Sequence, residues 1–107
     1  MTETETLASS FCRLVAENSK LNSAHARFGM WLIGVAEKLG GWPVEVSYSE
    51  VRAGFTRDGI EIEGTGSRIE TTKAAAEALE ALGVLQVEEG KYAGFGYHAT
   101  KYTIKEI

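Results

Sequence analysis

Lys91, His98 and Lys101 interleave with Tyr92, Phe95 and Tyr97 near the end of the chain, and Gly90, Gly94 and Gly96 punctuate the same stretch. Cationic and flat side chains mixed in this way hold phosphate oxygens and stack on bases, which is nucleic-acid chemistry, single strands included. The same residues admit two other uses. Tyr97 and Tyr102 can pack on a sheet while the glycines permit tight turns, or the aromatics can make a protein contact, since such side chains are enriched at interfaces. A second group, Ser67, Arg68, Thr71, Thr72 and Lys73, gathers hydroxyls and cations at the start of one helical stretch. Catalysis has no comparable support. His25 and His98 lie far apart, with no cysteine or carboxylate cluster at metal-ligand spacing. Cys12 lacks a catalytic partner, and no helix follows Gly94-Phe95-Gly96 to supply the amides of a phosphate loop. Glu61/Glu63 and Glu88/Glu89 read as solvated surface. The expectation is a protein that is not an enzyme and carries no cofactor or metal.

The elements that position these residues can be read from their neighbours. Ser67 and Glu70 have the spacing of a capping box, in which each side chain answers the other's backbone amide, so a helix should start there. Thr72, Ala75, Ala76, Leu79 and Leu82 then recur every three or four residues and define its buried face, leaving Lys73, Glu77 and Glu80 outward. Gly83 supplies a left-handed stop. Val84–Glu88 and Lys101–Lys105 alternate with a β-branched bias and read as antiparallel partners. The connection between them, 89–100, is too long for a tight hairpin and reads as a projecting loop.

Helix, glycine, strand, long loop and strand resemble the recognition helix and wing of the winged helix-turn-helix DNA-binding superfamily. The residues that carry the resemblance run from Thr71 through Lys73, Leu79, Leu82 and Gly83 to Val84-Leu85, and the pattern extends over the last two-thirds of the chain. The resemblance implies an α+β fold, a small antiparallel wing sheet, and a last helix that enters the major groove of duplex DNA. It makes Arg68 the guanine or phosphate contact, through its planar pair of donors. Thr71 would serve a phosphate or a thymine methyl, Lys73 a phosphate, and Ser67 the same helix start. Thr72 belongs either to this face or to the core. Lys91, His98 and Lys101 would reach the backbone or minor groove from the wing. Glu70 and Glu77 oppose a polyanion, and Ala74 is too short for a specific hydrogen bond. Such a helix needs help from the wing, from Arg52 and Arg57, or from a second subunit.

Upstream, Leu7, Phe11, Leu14 and Val15 fit one face of an additional N-terminal helix within 1–20, ending near Asn18. Cys12 among them reads as a small apolar filler. Residues 22–107 form the winged-helix core of a single domain. Asn22 or Ser23 caps a helix over Ala24–Leu39 that is apolar nearly all round, with Phe28, Leu32, Val35 and Leu39 on one stripe. Gly29 and Gly34 within it point to close backbone packing. Gly40-Gly41-Trp42-Pro43 turns the chain into a short strand, Val44–Val46. Ser47 and Glu50 form another capping box, opening a helix over Tyr48–Phe55 with Val51 and Phe55 on one face. Residues 56–66 exceed the three- or four-residue turn of a helix-turn-helix. Asp58-Gly59 and the Ile60/Ile62 alternation make an extra strand or helical turn there.

The 107 residues, 44% of them hydrophobic, suffice for one modest core. Net charge is −4, with 6 basic against 9 acidic residues before Gly66 and 5 against 6 after it, so no basic block advertises nucleic acid. One cysteine, a polar acidic start and no long apolar run give the expectation of a cytoplasmic protein with no membrane contact. The expected function is sequence-specific binding of double-stranded DNA by a homodimer, joined through the two N-terminal helices, acting in transcription regulation or as a plasmid or mobile-element accessory factor. The alternative is a module that binds a protein partner through its acidic helix face and aromatic loop.

Overall fold

Asparagine and serine at helix starts, and glycine at helix ends, set most of the boundaries in the structure, a computed structural model that describes residues 3–89 and 99–105. Four helices and two small antiparallel sheets follow in the order α1 (Glu3–Glu17), α2 (Ser23–Leu39), β1 (Val44–Val46), α3 (Tyr48–Ala53), β2 (Gly54–Arg57), β3 (Ile60–Glu63), α4 (Ile69–Ala81), β4 (Leu85–Glu89) and β5 (Thr100–Ile104). The fold is α+β.

Asn22 caps α2: its side chain accepts from the His25 amide at 3.0 Å, and His25 Nδ1 accepts from the Asn22 amide at 3.3 Å. Histidine thus stands where a capping box usually has glutamate or glutamine. At the other end Gly40, at φ 91°, takes the left-handed cap and donates to the Ala36 carbonyl. Between these ends Phe28, Gly29, Leu32, Ile33, Val35 and Ala36 are all buried, so α2 is the central element. The helices α1 and α4, the strands β1 and β5, and the hairpin strand β3 all pack against it. Phe28 meets Tyr102 of β5 edge to face, with centroids 5.4 Å apart.

The three-stranded sheet has the order β1-β5-β4. Val44 and Val87 both lie opposite Tyr102, and Leu85 lies opposite Ile104. Val44, Tyr102, Leu85 and Ile104 are buried, so this face closes the core over α2 and α4. On the opposite face Lys101 stands between Glu45 and Glu88 in register. β2 and β3 form a separate hairpin. Its two-residue turn has Asp58 at φ 52° and Gly59 at φ 78°, the type I′ geometry that matches strand twist.

Several sequence expectations need correction. Of the strand or helical turn expected in 56–66 the strand forms, as β3, and it pairs with Gly54–Arg57, so Phe55 belongs to β2 rather than to the face of α3. No side chain caps α4: its N-cap is Arg68, so the Ser67–Glu70 box does not form, and the Ser67 amide donates instead to Thr65 Oγ1 at 3.1 Å. A local Ser/Thr turn has won over the cap. Leu82 is 38% exposed because the left-handed Gly83 (φ 76°) turns the chain before the buried stripe extends that far. Cys12 is exposed, its thiol 3.7 Å from Met30 Sδ. At Gly34 an added Cβ would meet nothing within 4 Å, so close packing does not explain that glycine.

Gly29 is the opposite case. A Cβ there would collide with the ring of Phe11, which is completely buried against α2. The glycine makes the seat for Phe11, a fully buried residue of α1. Gly29→Ala should therefore destabilise by about 1–3 kcal/mol through overpacking, despite its better helix propensity. Urea denaturation measures this, and the double variant Gly29→Ala/Phe11→Leu should recover part of the loss.

Candidate nucleic-acid interface

Helix α3 starts from a capping box in which the Ser47 amide donates to Glu50 Oε1 at 2.9 Å and the Glu50 amide donates to Ser47 Oγ at 3.2 Å. The second carboxylate oxygen of Glu50 faces Arg57 Nη2 at 3.7 Å. That guanidinium also donates to the Glu45 carbonyl at 2.8 Å and lies 4.7 Å from the Phe55 ring centroid. Arg57 therefore ties β1, α3 and β2 together. Its Nη2 is thus engaged within the protein while the side chain stays 36% exposed.

The other end of α3 positions the start of α4. The Thr65 amide donates to the Val51 carbonyl at 2.7 Å, and the Gly66 amide to the Arg52 carbonyl at 3.0 Å. These bonds fill carbonyls that a helix end would otherwise leave to water. The chain can come this close because residue 64 is glycine: a Cβ on Gly64 would strike the Arg52 carbonyl and the Gly54 amide. Arg52 is exposed on the last turn of α3, and its backbone bond to Gly66 places it two residues from Arg68. The backbones of two arginines 16 apart in sequence thus meet the same segment, 64–68.

The face of α4 divides. Thr72 is only 2% exposed and packs with Ala75, Ala76 and Leu79, so it is a core residue and not a DNA contact. Solvent meets Arg68, Glu70, Lys73, Ala74, Glu77, Glu80 and Ala81. Helical geometry puts Glu70, Ala74, Glu77 and Ala81 along the middle of that face, with Lys73 to one side. Ser67 and Thr71 are half-buried beside the first turn. Arg68 and Lys73 lie toward the N-terminal end of α4 together with Glu70, where the uncapped amides add partial positive charge. The acidic groups Glu77 and Glu80 extend toward the other end.

Lys101 is countered by carboxylates: Glu45 and Glu88 stand directly opposite it on the two neighbouring strands, and opposite pairs project from the same face. Its contribution to a phosphate footprint is correspondingly reduced. Lys91 and His98, with the aromatic residues of that loop, lie outside the described residues. Of the ten candidate residues, the fold thus brings together Arg52, Ser67, Arg68, Thr71 and Lys73. It buries Thr72 and engages Arg57 with Glu45 and Glu50.

Comparison of the chain with protein-family profiles, with curated proteins and with solved structures finds no match. Among the described residues, no group of three or more His, Cys, Asp or Glu side chains could hold a metal ion. None of their helices is long and apolar enough to cross a membrane.

Sequence reasoning missed two features. Ile69, in the first turn of α4, is 40% exposed beside Arg68. The indole of Trp31 donates to the Glu63 carbonyl at 2.7 Å, which fastens the inserted hairpin to α2. A tryptophan on a crowded helix carries no local sign of a polar partner 32 residues away.

The junction between α3 and α4 rests on backbone contact at Gly64. Gly64→Ala should cost roughly 1–3 kcal/mol of stability, the usual range for a forced close approach. Thermal unfolding reads the loss, and amide exchange at Thr65 and Gly66 should rise if the contact is what opens.

Proposed function

We propose that this chain is a winged helix-turn-helix protein that binds a specific double-stranded DNA site as a homodimer, in transcription control or as an accessory factor of a plasmid or other mobile element. The observation that carries the proposal is the convergence of Arg52, Arg68 and Lys73 at the exposed, uncapped start of α4. The element order α2, β1, α3, α4, β4, β5 and the sheet order β1-β5-β4 support the winged arrangement, with α3 and α4 as the helix pair. α1 is the additional N-terminal helix, and β2–β3 is an insertion in the turn.

The charge distribution specifies how the contact is made. Exposed charges on and at the start of α4 are Arg68 and Lys73 against Glu70, Glu77 and Glu80. Lying the whole helix along the groove floor would press three carboxylates toward phosphates. Entering with the first turn keeps Glu77 and Glu80 away from the backbone and leaves Glu70 as the one carboxylate of the helix there, beside Arg68 and the helix amides. A single protomer then supplies few phosphate contacts, and two-fold pairing doubles them. The paired helices α1 and α2 are the proposed dimer surface, where Met30 remains 37% exposed.

The second reading is a protein-binding module. The observation favouring it is the central stripe of α4, where Glu70 and Glu77 alternate with Ala74 and Ala81. Such a stripe suits a basic partner surface better than a polyanion.

Fluorescence anisotropy with random duplex and with duplex from the chain's own gene neighbourhood separates the two. Site-specific DNA binding requires salt-sensitive association that survives competitor on the neighbourhood DNA. Arg52→Gln, Arg68→Gln and Lys73→Gln should each flatten the log-affinity against log-salt slope by about 1, the signature of one lost phosphate contact. Unchanged slopes with intact folding would move the assignment to the protein partner. Sedimentation showing a monomer well above micromolar concentration would sink the dimer.

A further inference from the structure

Helix α2 begins on a bond that only one protonation state of a histidine can make. In its capping box the Asn22 amide donates to His25 Nδ1 at 3.3 Å, while Asn22 Oδ1 accepts from the His25 amide at 3.0 Å. A ring nitrogen that accepts carries no proton, so the imidazole is neutral with its hydrogen on Nε2. Imidazolium donates from both nitrogens, and a proton on Nδ1 would face the Asn22 N–H donor to donor. The glutamine or ionised glutamate usual at this position accepts throughout the interval in which histidine titrates.

The surroundings do not offset a positive charge on this ring. The first turn of α2 contains no acidic residue, and its amides form the positive end of the helix dipole. Arg13 and Glu17 on α1, Lys20 in the connection and Arg27 on α2 are the charged groups nearest in sequence, and all are exposed. Neither these nor the charged groups of α4, β1, β3 and β5, the other elements packed on α2, make an ion pair or hydrogen bond with the ring among the described residues. Asn22 also ends the connection 18–22 that carries α1. That connection folds on itself: the Leu21 amide donates to the Asn18 carbonyl at 3.1 Å, the Lys20 amide to Asn18 Oδ1 at 3.0 Å, and Leu21 is buried. The Asn22 amide joins this unit to the first turn of α2.

We propose that His25 is a proton-sensitive latch at the entry to α2. Neutral, it fixes the direction in which the chain enters the helix. Protonated, it releases the Asn22 amide and loosens 18–22, and with it the docking of α1 in the slot at Gly29. The sign follows from the bond: the latch is closed above the interval in which histidine titrates and opens as pH falls through it. Asn22 Oδ1 still accepts from the His25 amide, and the Asn22 carbonyl from the Ala26 amide at 3.1 Å, so α2 persists while its entry loosens. The latch is independent of the proposed DNA contact, which lies at the start of α4.

The test is 15N–1H NMR of the full chain from about pH 8 to about pH 5, the interval in which histidine exchanges its proton. At the upper end the His25 ring should carry its proton on Nε2 alone. On acidification the protection of the Asn22 amide, corrected for the intrinsic pH dependence of exchange, should fall about fivefold, the loss that one capping bond carries. The fall should follow the His25 ring signals, and resonances of 18–21 and of Phe11 should shift with it. His25→Gln keeps an acceptor that does not titrate and should hold the protection steady over the whole interval. A ring proton on Nδ1 at the upper end overturns the proposal, as does constant protection in the unsubstituted chain. An acid loss that persists in His25→Gln also overturns it and moves the cause to another group, such as His98.

Discussion

Helix α2 must bury more than one side, and everything else is arranged to cover it. A 17-residue helix with Phe28, Gly29, Leu32, Ile33, Val35 and Ala36 all inside cannot sit on a surface. The sheet covers one side through Tyr102 and Val44, α4 covers another through its alanine and leucine face, and α1 closes the side that Gly29 leaves thin. Packing at crystal-like density explains why the small residues matter as much as the large ones. The ring of Phe11 fits because Gly29 has no side chain, and α4 fits because Ala75 and Ala76 face inward.

The hairpin β2–β3 lengthens the connection between α3 and α4 without loosening it. Three devices hold it. Arg57 reaches β1 and α3, Trp31 reaches the Glu63 carbonyl, and Phe55 meets Trp31 edge to face at 6.4 Å. The chain then returns to the end of α3 through Thr65 and Gly66, so α4 begins at a place determined by α3 rather than by the length of the insertion. Loop-closure entropy grows slowly with length, and an insertion that brings its own strand pairing and side-chain anchors offsets much of that cost.

Electrostatics in the described part of the molecule is largely local. Arg57 answers Glu50, and Lys101 stands between Glu45 and Glu88. At the start of α4 the exposed charges are of both signs, Arg68 and Lys73 with Glu70 between them.

Local rules were enough for much of the secondary structure. The sequence by itself determined α2 with its Asn22 and Gly40 ends, β1, the Ser47–Glu50 box, the inward face of α4 up to Leu79, and the antiparallel pair β4 and β5, because caps, glycine stops and periodicity act within a few residues. Even the Asp58-Gly59 turn was legible, although the strands around it are only four residues each. Tertiary structure alone decided that Ser67 turns to Thr65 instead of capping α4, that Arg57 spends its donors on Glu45 and Glu50, and that Arg52 comes beside the segment leading to Arg68. It also decided that the Trp31 indole reaches the Glu63 carbonyl and fastens the hairpin to α2. Each of these depends on which distant backbone or ring arrives within hydrogen-bond or van der Waals reach, and spacing along one chain does not encode that distance.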